Sequence, residues 1–174
     1  ATTSISALSE GVFWDFVKNE LSEDVFSHYG FSKSVIPEIR DVFTEHGQLS
    51  SANAATLGLK PGIPVTYKAG DQPNNALSLN VLEAGEVAAT AGTSGVIYGV
   101  SDQLTFDPQS RINSFAHVNH TATQKRIGVL LCINGTGILN RWVKNTTGNQ
   151  SYKEMNEAAA TVSIGSNGLF NSYN

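Results

Sequence analysis

Residues 86–100, EVAATAGTSGVIYGV, constrain the fold more than any other stretch of the chain. Two strand-like runs, Glu86 to Ala91 and Val96 to Val100, are joined by Gly92-Thr93-Ser94-Gly95. A four-residue connection with glycines at both ends has the length of a β-hairpin. Just upstream, KPGIPVTYKAGD turns into a strand at Pro64 to Tyr67, and Pro73 to Leu82 reads as a helix. Strand, acidic residue, helix and hairpin therefore follow one another within about 35 residues.

The remainder alternates strands and helices in the same way. TTSISAL reads as a strand and GVFWDF as a short apolar element. SEDVFSHYG reads as a helix from a Ser22 cap through an acidic first turn to a Gly30 stop. SKSVIPEI is a Pro-punctuated connection, and SANAATLG, residues 51–58, a short helix ending at Gly58. FAHVNH and RIGVLLCI read as strands, GILNRWVKN and YKEMNEAAATV as helices. No internal repeat is visible, so the expected class is α/β.

Composition narrows the partners. At 174 residues and 40% hydrophobic, the chain can bury a core suited to one ordinary domain or parts of two. Its net charge of -4 is spread without long blocks and offers no basic stripe, which speaks against nucleic acid. The longest apolar stretch, Val129 to Ile133, suits a buried strand and is far too short to span a bilayer. The single cysteine, Cys132, excludes an intrachain disulfide and fits a reducing, cytoplasmic setting. Sequons begin at Asn119, Asn134, Asn145 and Asn149, as chance produces in a chain rich in Asn and Thr. The opening ATTSISALSEG has no Met and no apolar leader, so the chain reads as the interior of a longer protein.

Three features carry chemistry. Asp71 stands where a strand ends and a helix begins, with Pro73 expected at the first helical position. There an ionised carboxylate is favoured by the helix dipole and can accept a proton from a substrate hydroxyl; capping the helix is the alternative role. The turn Gly92-Thr93-Ser94-Gly95 combines close backbone approach with successive N–H groups and two hydroxyls, a nest for phosphate oxygens, although any hairpin turn uses such residues. No Lys follows, so it is not a Walker loop. Gly135-Thr136-Gly137 opens the helix containing Asn140 and is a second place for bare backbone to meet an anion. Ile138 and Trp142, four apart, are expected in the core.

Together, AGDQPNNALSLNVLEAGEVAATAGTSG and the weaker NGTG resemble the middle of the FGGY carbohydrate kinase family, with GDQ and GTSG at their mutual spacing as its strong marks. The resemblance runs from ATTSIS to about SIGSNGLF, leaving NSYN unassigned. It implies a fragment of a two-domain kinase of the ribonuclease-H-like, actin/hexokinase-type fold. Residues 1–70 would end the first, sugar-binding domain and 71–174 begin the second, nucleotide-binding one. The resemblance further implies that Asp71 deprotonates the sugar hydroxyl and that Gln72 contacts the sugar. Gly92, Thr93 and Ser94 would meet the ATP phosphates, with Gly135, Gly137 and Asn140 approaching the nucleotide. ATP is the implied cofactor, with Mg held through its phosphates; the partners are a small-molecule sugar and ATP, with neither nucleic acid nor membrane, and a homodimer is compatible.

The resemblance favours a ketose kinase acting on D-xylulose. Glycerol kinase, another sugar kinase of the family, and a non-catalytic sugar- or partner-binding module remain alternatives. The family's amino-terminal phosphate loop and carboxyl-terminal adenosine segment are not in these 174 residues, so the segment alone is expected to be inactive. His117 and His120 point to opposite faces if FAHVNH is a strand, which disfavours a protein metal site. Glu83 and Glu86 read as solvated charges flanking a Gly turn and not as a hydrolytic pair.

Overall fold

The computed structural model describes residues 1–169; the unassigned NSYN lies outside them. The chain forms two compact units. Ala1–Ala88 with Tyr98–Leu130 make the first, and Ala89–Ile97 with the described residues from Leu131 to Leu169 the second.

In the first unit, β1 (Thr2–Thr3) pairs in parallel with β4 (Glu38–Ile39). TTSISAL is not the strand expected from its β-branched residues. Ser4 ends β1 after two residues because its hydroxyl accepts the Ala7 N–H at 3.3 Å and starts α1, Ile5–Glu10. Helix α1 buries Ser6, Leu8 and Ser9, and the Ala116 N–H donates to Ser9 Oγ at 2.9 Å. The short pair β2 (Trp14–Asp15) and β3 (Glu20–Leu21) leads into α2, Glu23–Tyr29. That helix stops as expected at Gly30, which adopts φ 68°. The connection SKSVIPEI holds a single 3₁₀ turn, Lys33–Val35.

Next, β5 (Gly47–Gln48) pairs with β6 (Pro64–Val65), enclosing α3, Ser51–Leu57, which ends at Gly58 as expected. Helix α4 covers Asp71–Ser78, beginning two residues before Pro73 and ending short of Leu82. A four-stranded sheet follows in the order β7-β8-β10-β9, from β7 (Val87–Ala91), β8 (Gly95–Ser101), β9 (Asn113–Ala116) and β10 (Ile127–Ile133). Strands β9 and β10 are antiparallel, Ile127 facing Ala116 and Leu130 facing Asn113. Ile127, Leu130, Ala116, Val118, Val100 and Leu8 are buried in the core of this unit.

His117 lies inside that core. Its Nε2 is 3.0 Å from the Val81 carbonyl, which only accepts, so Nε2 carries the proton and Nδ1 accepts from the Tyr98 hydroxyl at 3.0 Å. Gly128 makes room for that phenol, since a Cβ there would fall 1.8 Å from the Tyr98 oxygen. Burial pushes the His117 imidazole below its ordinary value and pushes the Tyr98 phenol up.

The second unit contains the hairpin tip, α5 (Gly137–Thr146) and α6 (Tyr152–Ala159). Ser151 and Glu154 form a capping box that starts α6. Ile138 and Trp142 are not core residues: they are 38% and 49% exposed. Helix α5 instead turns Leu139 and Val143 toward a cavity it shares with α6. Among the described residues, no helix is long and apolar enough to cross a membrane.

The buried neutral His117 makes stability depend on pH in a defined sense. Below about pH 6.5 the unfolded chain protonates this imidazole while the folded chain resists, so stability is full above that pH and declines as pH falls toward the depressed folded value. Thermal unfolding is expected to show Tm falling from pH 7 to 5.5. A His117→Gln variant should be less stable throughout and show a shallower slope, with His120, also pushed down by burial, carrying the rest. A wild-type Tm that stays flat across this range contradicts the expectation.

Candidate functional site

Asp71 is the first residue of α4, one position after the buried Gly70, so Pro73 stands third and not first. The helix start nevertheless satisfies its donors. The Asp71 and Gln72 N–H groups each donate at 3.0 Å to one carboxylate, that of Glu10, through Oε2 and Oε1 respectively. Pro73 has no N–H to satisfy, and the Asn74 N–H donates to the Gly70 carbonyl at 3.1 Å. Glu10 thus performs the capping that the sequence left open for Asp71.

The Asp71 side chain is exposed and Gln72 half-buried. Burial raises the Glu10 carboxyl above its ordinary value; the two N–H groups pull it down, and the charge and contact of Asp71 add to the rise. Gly70 is needed for this approach. A Cβ on it would lie 2.3 Å from the Glu10 carboxyl carbon. Neither Glu10 nor Ser6, which accepts the Gly70 N–H at 3.1 Å, stands out in the sequence, because Ser6 lies 64 positions from Gly70 and Glu10 lies 62 from Gln72.

In the second unit, the two Gly-rich segments meet. The Gly137 N–H donates to the Gly92 carbonyl at 3.0 Å and the Ile138 N–H to the Thr93 carbonyl at 3.2 Å. Thr136 Oγ1 reaches both carbonyls, at 3.2 and 3.3 Å. The first N–H groups of α5 are therefore spent on the hairpin, and the hairpin turn itself, Gly92 and Thr93, is the exposed backbone. Gly137 and Gly95 permit the contact, since a Cβ would come 2.3 Å from the Gly92 oxygen and 2.7 Å from Thr136 Cγ2.

Two cavities adjoin this clasp. Gly92, Thr93 and Gly137 line one of about 210 Å³ together with Arg141, which supplies a positive charge. Gly135, Asn140, Leu139 and Met155 line the other, of about 570 Å³, along α5 and α6. Ser94 is half-buried and lines neither.

The remaining sequence candidates have structural roles. Strand β9 ends at Ala116, so His117 and His120 sit in the turn after it and not within a strand. Among the described residues no group of three or more His, Cys, Asp or Glu side chains is placed to hold a metal ion. Glu86 accepts the Leu82 and Glu83 N–H groups at 2.7 and 2.8 Å, and Glu83 pairs with Arg126 at 2.5 Å.

No family model matches the chain. Known proteins do. A xylulose kinase of Bacillus subtilis is 26% identical over 153 residues, covering 87% of this chain and 30% of that protein. A gluconokinase of the same organism is 30% identical over 127 residues, covering 67% and 24%. The crystal structure of a ligand-bound xylulose kinase from Lactobacillus acidophilus superposes with a TM-score of 0.84 at 18% identity, covering 97% of this chain and 34% of that one. The chain thus spans about a third or less of the proteins it matches. Its fold is that of a segment of the actin/hexokinase-type ATPases. In sequence it is similar to a segment of the FGGY-type carbohydrate kinases.

The clasp in the second unit is testable by itself. Gly137→Ala drives a methyl group into a backbone oxygen, which cannot swing aside, and overpacking of this kind costs about 1–3 kcal/mol. Chemical denaturation is expected to show that loss, whereas Gly92→Ala, whose Cβ meets nothing closer than 3.7 Å, should cost less. Equal losses in the two variants would contradict the clasp.

Proposed function

We propose that this chain carries the proton-accepting carboxylate and part of the phosphate-binding surface of an ATP-dependent sugar kinase whose substrate is a ketose, D-xylulose first. The observation that supports it most is the placement of Asp71. It opens α4 with its carboxyl exposed, while the capping work is done by Glu10. A carboxylate so placed is free to take the proton of a sugar hydroxyl as that oxygen attacks phosphorus. Gln72, next in the same turn, is suited to hydrogen-bond the sugar. On this reading residues 1–70 end the sugar-binding domain of the family and residues 71–174 begin its nucleotide-binding domain.

The second unit fits a phosphate-bearing ligand on its own evidence. Gly92 and Thr93 present exposed backbone beside Arg141, and Gly137 lets the hairpin close on the start of α5. Gly92, Thr93 and Ser94 would then hold the phosphates, with Gly135, Gly137 and Asn140 toward the nucleotide. Bound ATP supplies the transferable phosphoryl group, with Mg arriving on its phosphates. The residues of this chain position and accept; they form no bond to the transferred group.

D-xylulose is favoured because xylulose kinases match over the greatest share of the chain. The gluconokinase match, shorter but of higher identity, supports gluconate as the second reading. ATP consumption by the full-length protein against ketoses, gluconate and glycerol decides among them. Asp71→Asn is expected to lower kcat by about 10²–10⁴-fold with the protein still folded, the span of general base catalysis. A variant that keeps kcat within threefold of wild type removes Asp71 from the role. The 174-residue chain alone is expected to show no sugar-dependent ATP consumption, because it would supply only part of the positioning on which phosphoryl transfer depends. Turnover at the rate of the full-length protein would overturn that expectation.

A further inference from the structure

Three consecutive backbone N–H groups at the head of α4 are held by one face of α1. Gly70 donates to Ser6 Oγ at 3.1 Å, Asp71 to Glu10 Oε2 and Gln72 to Glu10 Oε1, both at 3.0 Å. Ser6 and Glu10 are four residues apart and so lie on the same side of the helix. Helix α1 is itself fixed, since Ser9, between them, accepts the Ala116 N–H at the end of β9. The clasp is tight: Gly70 has no side chain where the Glu10 carboxyl lies.

We propose that Glu10 is a positioning residue for the reaction, a second carboxylate that fixes the Gly70–Gln72 backbone and faces the Asp71 carboxyl with its own charge. The proposal rests on the reading of Asp71 as the proton acceptor. The two N–H bonds set where the Asp71 Cα stands, and a displacement of about 1 Å at a reacting group can cost on the order of 10²-fold in rate. The groups that act on Glu10 are the Asp71 carboxyl and two N–H groups from α4, with the Tyr98 phenol from β8 close enough to feel its charge. Tyr98 stays neutral through the working range because burial pushes its ionisation upward.

The test uses the full-length protein with ATP and D-xylulose, gluconate or glycerol, whichever it turns over fastest. Steady-state rates are measured from pH 5 to 8.5 for wild type, Glu10→Gln, Glu10→Ala and Asp71→Asn, with Tm recorded for each. Glu10→Gln and Glu10→Ala are expected to lower kcat by about 10- to 100-fold with KM for ATP within twofold. The loss should fall on kcat in folded protein, with KM for the sugar also little changed, because these bonds fix where the acceptor stands and not whether the sugar binds. A loss that appears as raised KM or lowered Tm with kcat kept would mean that Glu10 is only structural and overturns the proposal, as does a kcat within twofold of wild type. If Glu10→Ala does not fold, the near-isosteric Gln variant carries the test. Asp71→Asn separates the two failures: a silent Glu10 beside an inactive Asp71→Asn refutes the positioning role alone, and an active Asp71→Asn refutes the acceptor reading beneath it.

Discussion

The first N–H groups of a helix have no partner within the helix, and both units are organised around supplying one. At α4 the partner is a carboxylate brought from α1, 61 residues earlier in the chain. At α5 it is a pair of carbonyls from the β7-β8 hairpin, 45 residues earlier. Each solution joins segments distant in sequence by short hydrogen bonds, and each needs a glycine where the partner group comes close, a carboxylate at α4 and a backbone carbonyl at α5. The usual reading of a helix start as an open anion site does not apply at α5, whose leading donors are already occupied. What remains exposed there is the turn of the hairpin.

This arrangement bears on how charge is distributed at the site. Glu10 sits half-buried against donors that stabilise its ionised form, while burial and Asp71 oppose that form. A buried carboxylate without those two N–H groups would protonate or leave. Asp71 is relieved of capping and keeps an exposed carboxyl beside a second one.

The sequence disclosed those parts of the fold that rest on local chemistry. Gly30 and Gly58 end their helices in the left-handed conformation, and the hairpin around GTSG and both C-terminal helices lie where residue pattern puts them. What it concealed depends on partners far along the chain. TTSISAL has strand composition, yet the Ser4 hydroxyl turns it into α1. Pro73 suggests a helix beginning at itself, but Glu10 supplies two donors' worth of acceptor and lets the helix begin earlier. Ile138 and Trp142 have core spacing, but the face of α5 toward α6 carries Leu139 and Val143 instead. At the site, GDQ and GTSG were visible as motifs, whereas nothing near Glu10 marked it for a place beside Asp71.

Gly70 and Glu10 occupy what is in effect one volume. A methyl group at position 70 and a full-length carboxylate at position 10 cannot coexist without one of them moving. The two positions are therefore not free to change independently. A chain with a side chain at 70 must swing aside or shorten the residue at 10, and a chain that shortens position 10 loses this reason for glycine at 70. Among related chains the pair should behave as a single two-letter character, glycine with an acidic residue or a larger residue with a small one, and mixed combinations should survive only where α1 has shifted away.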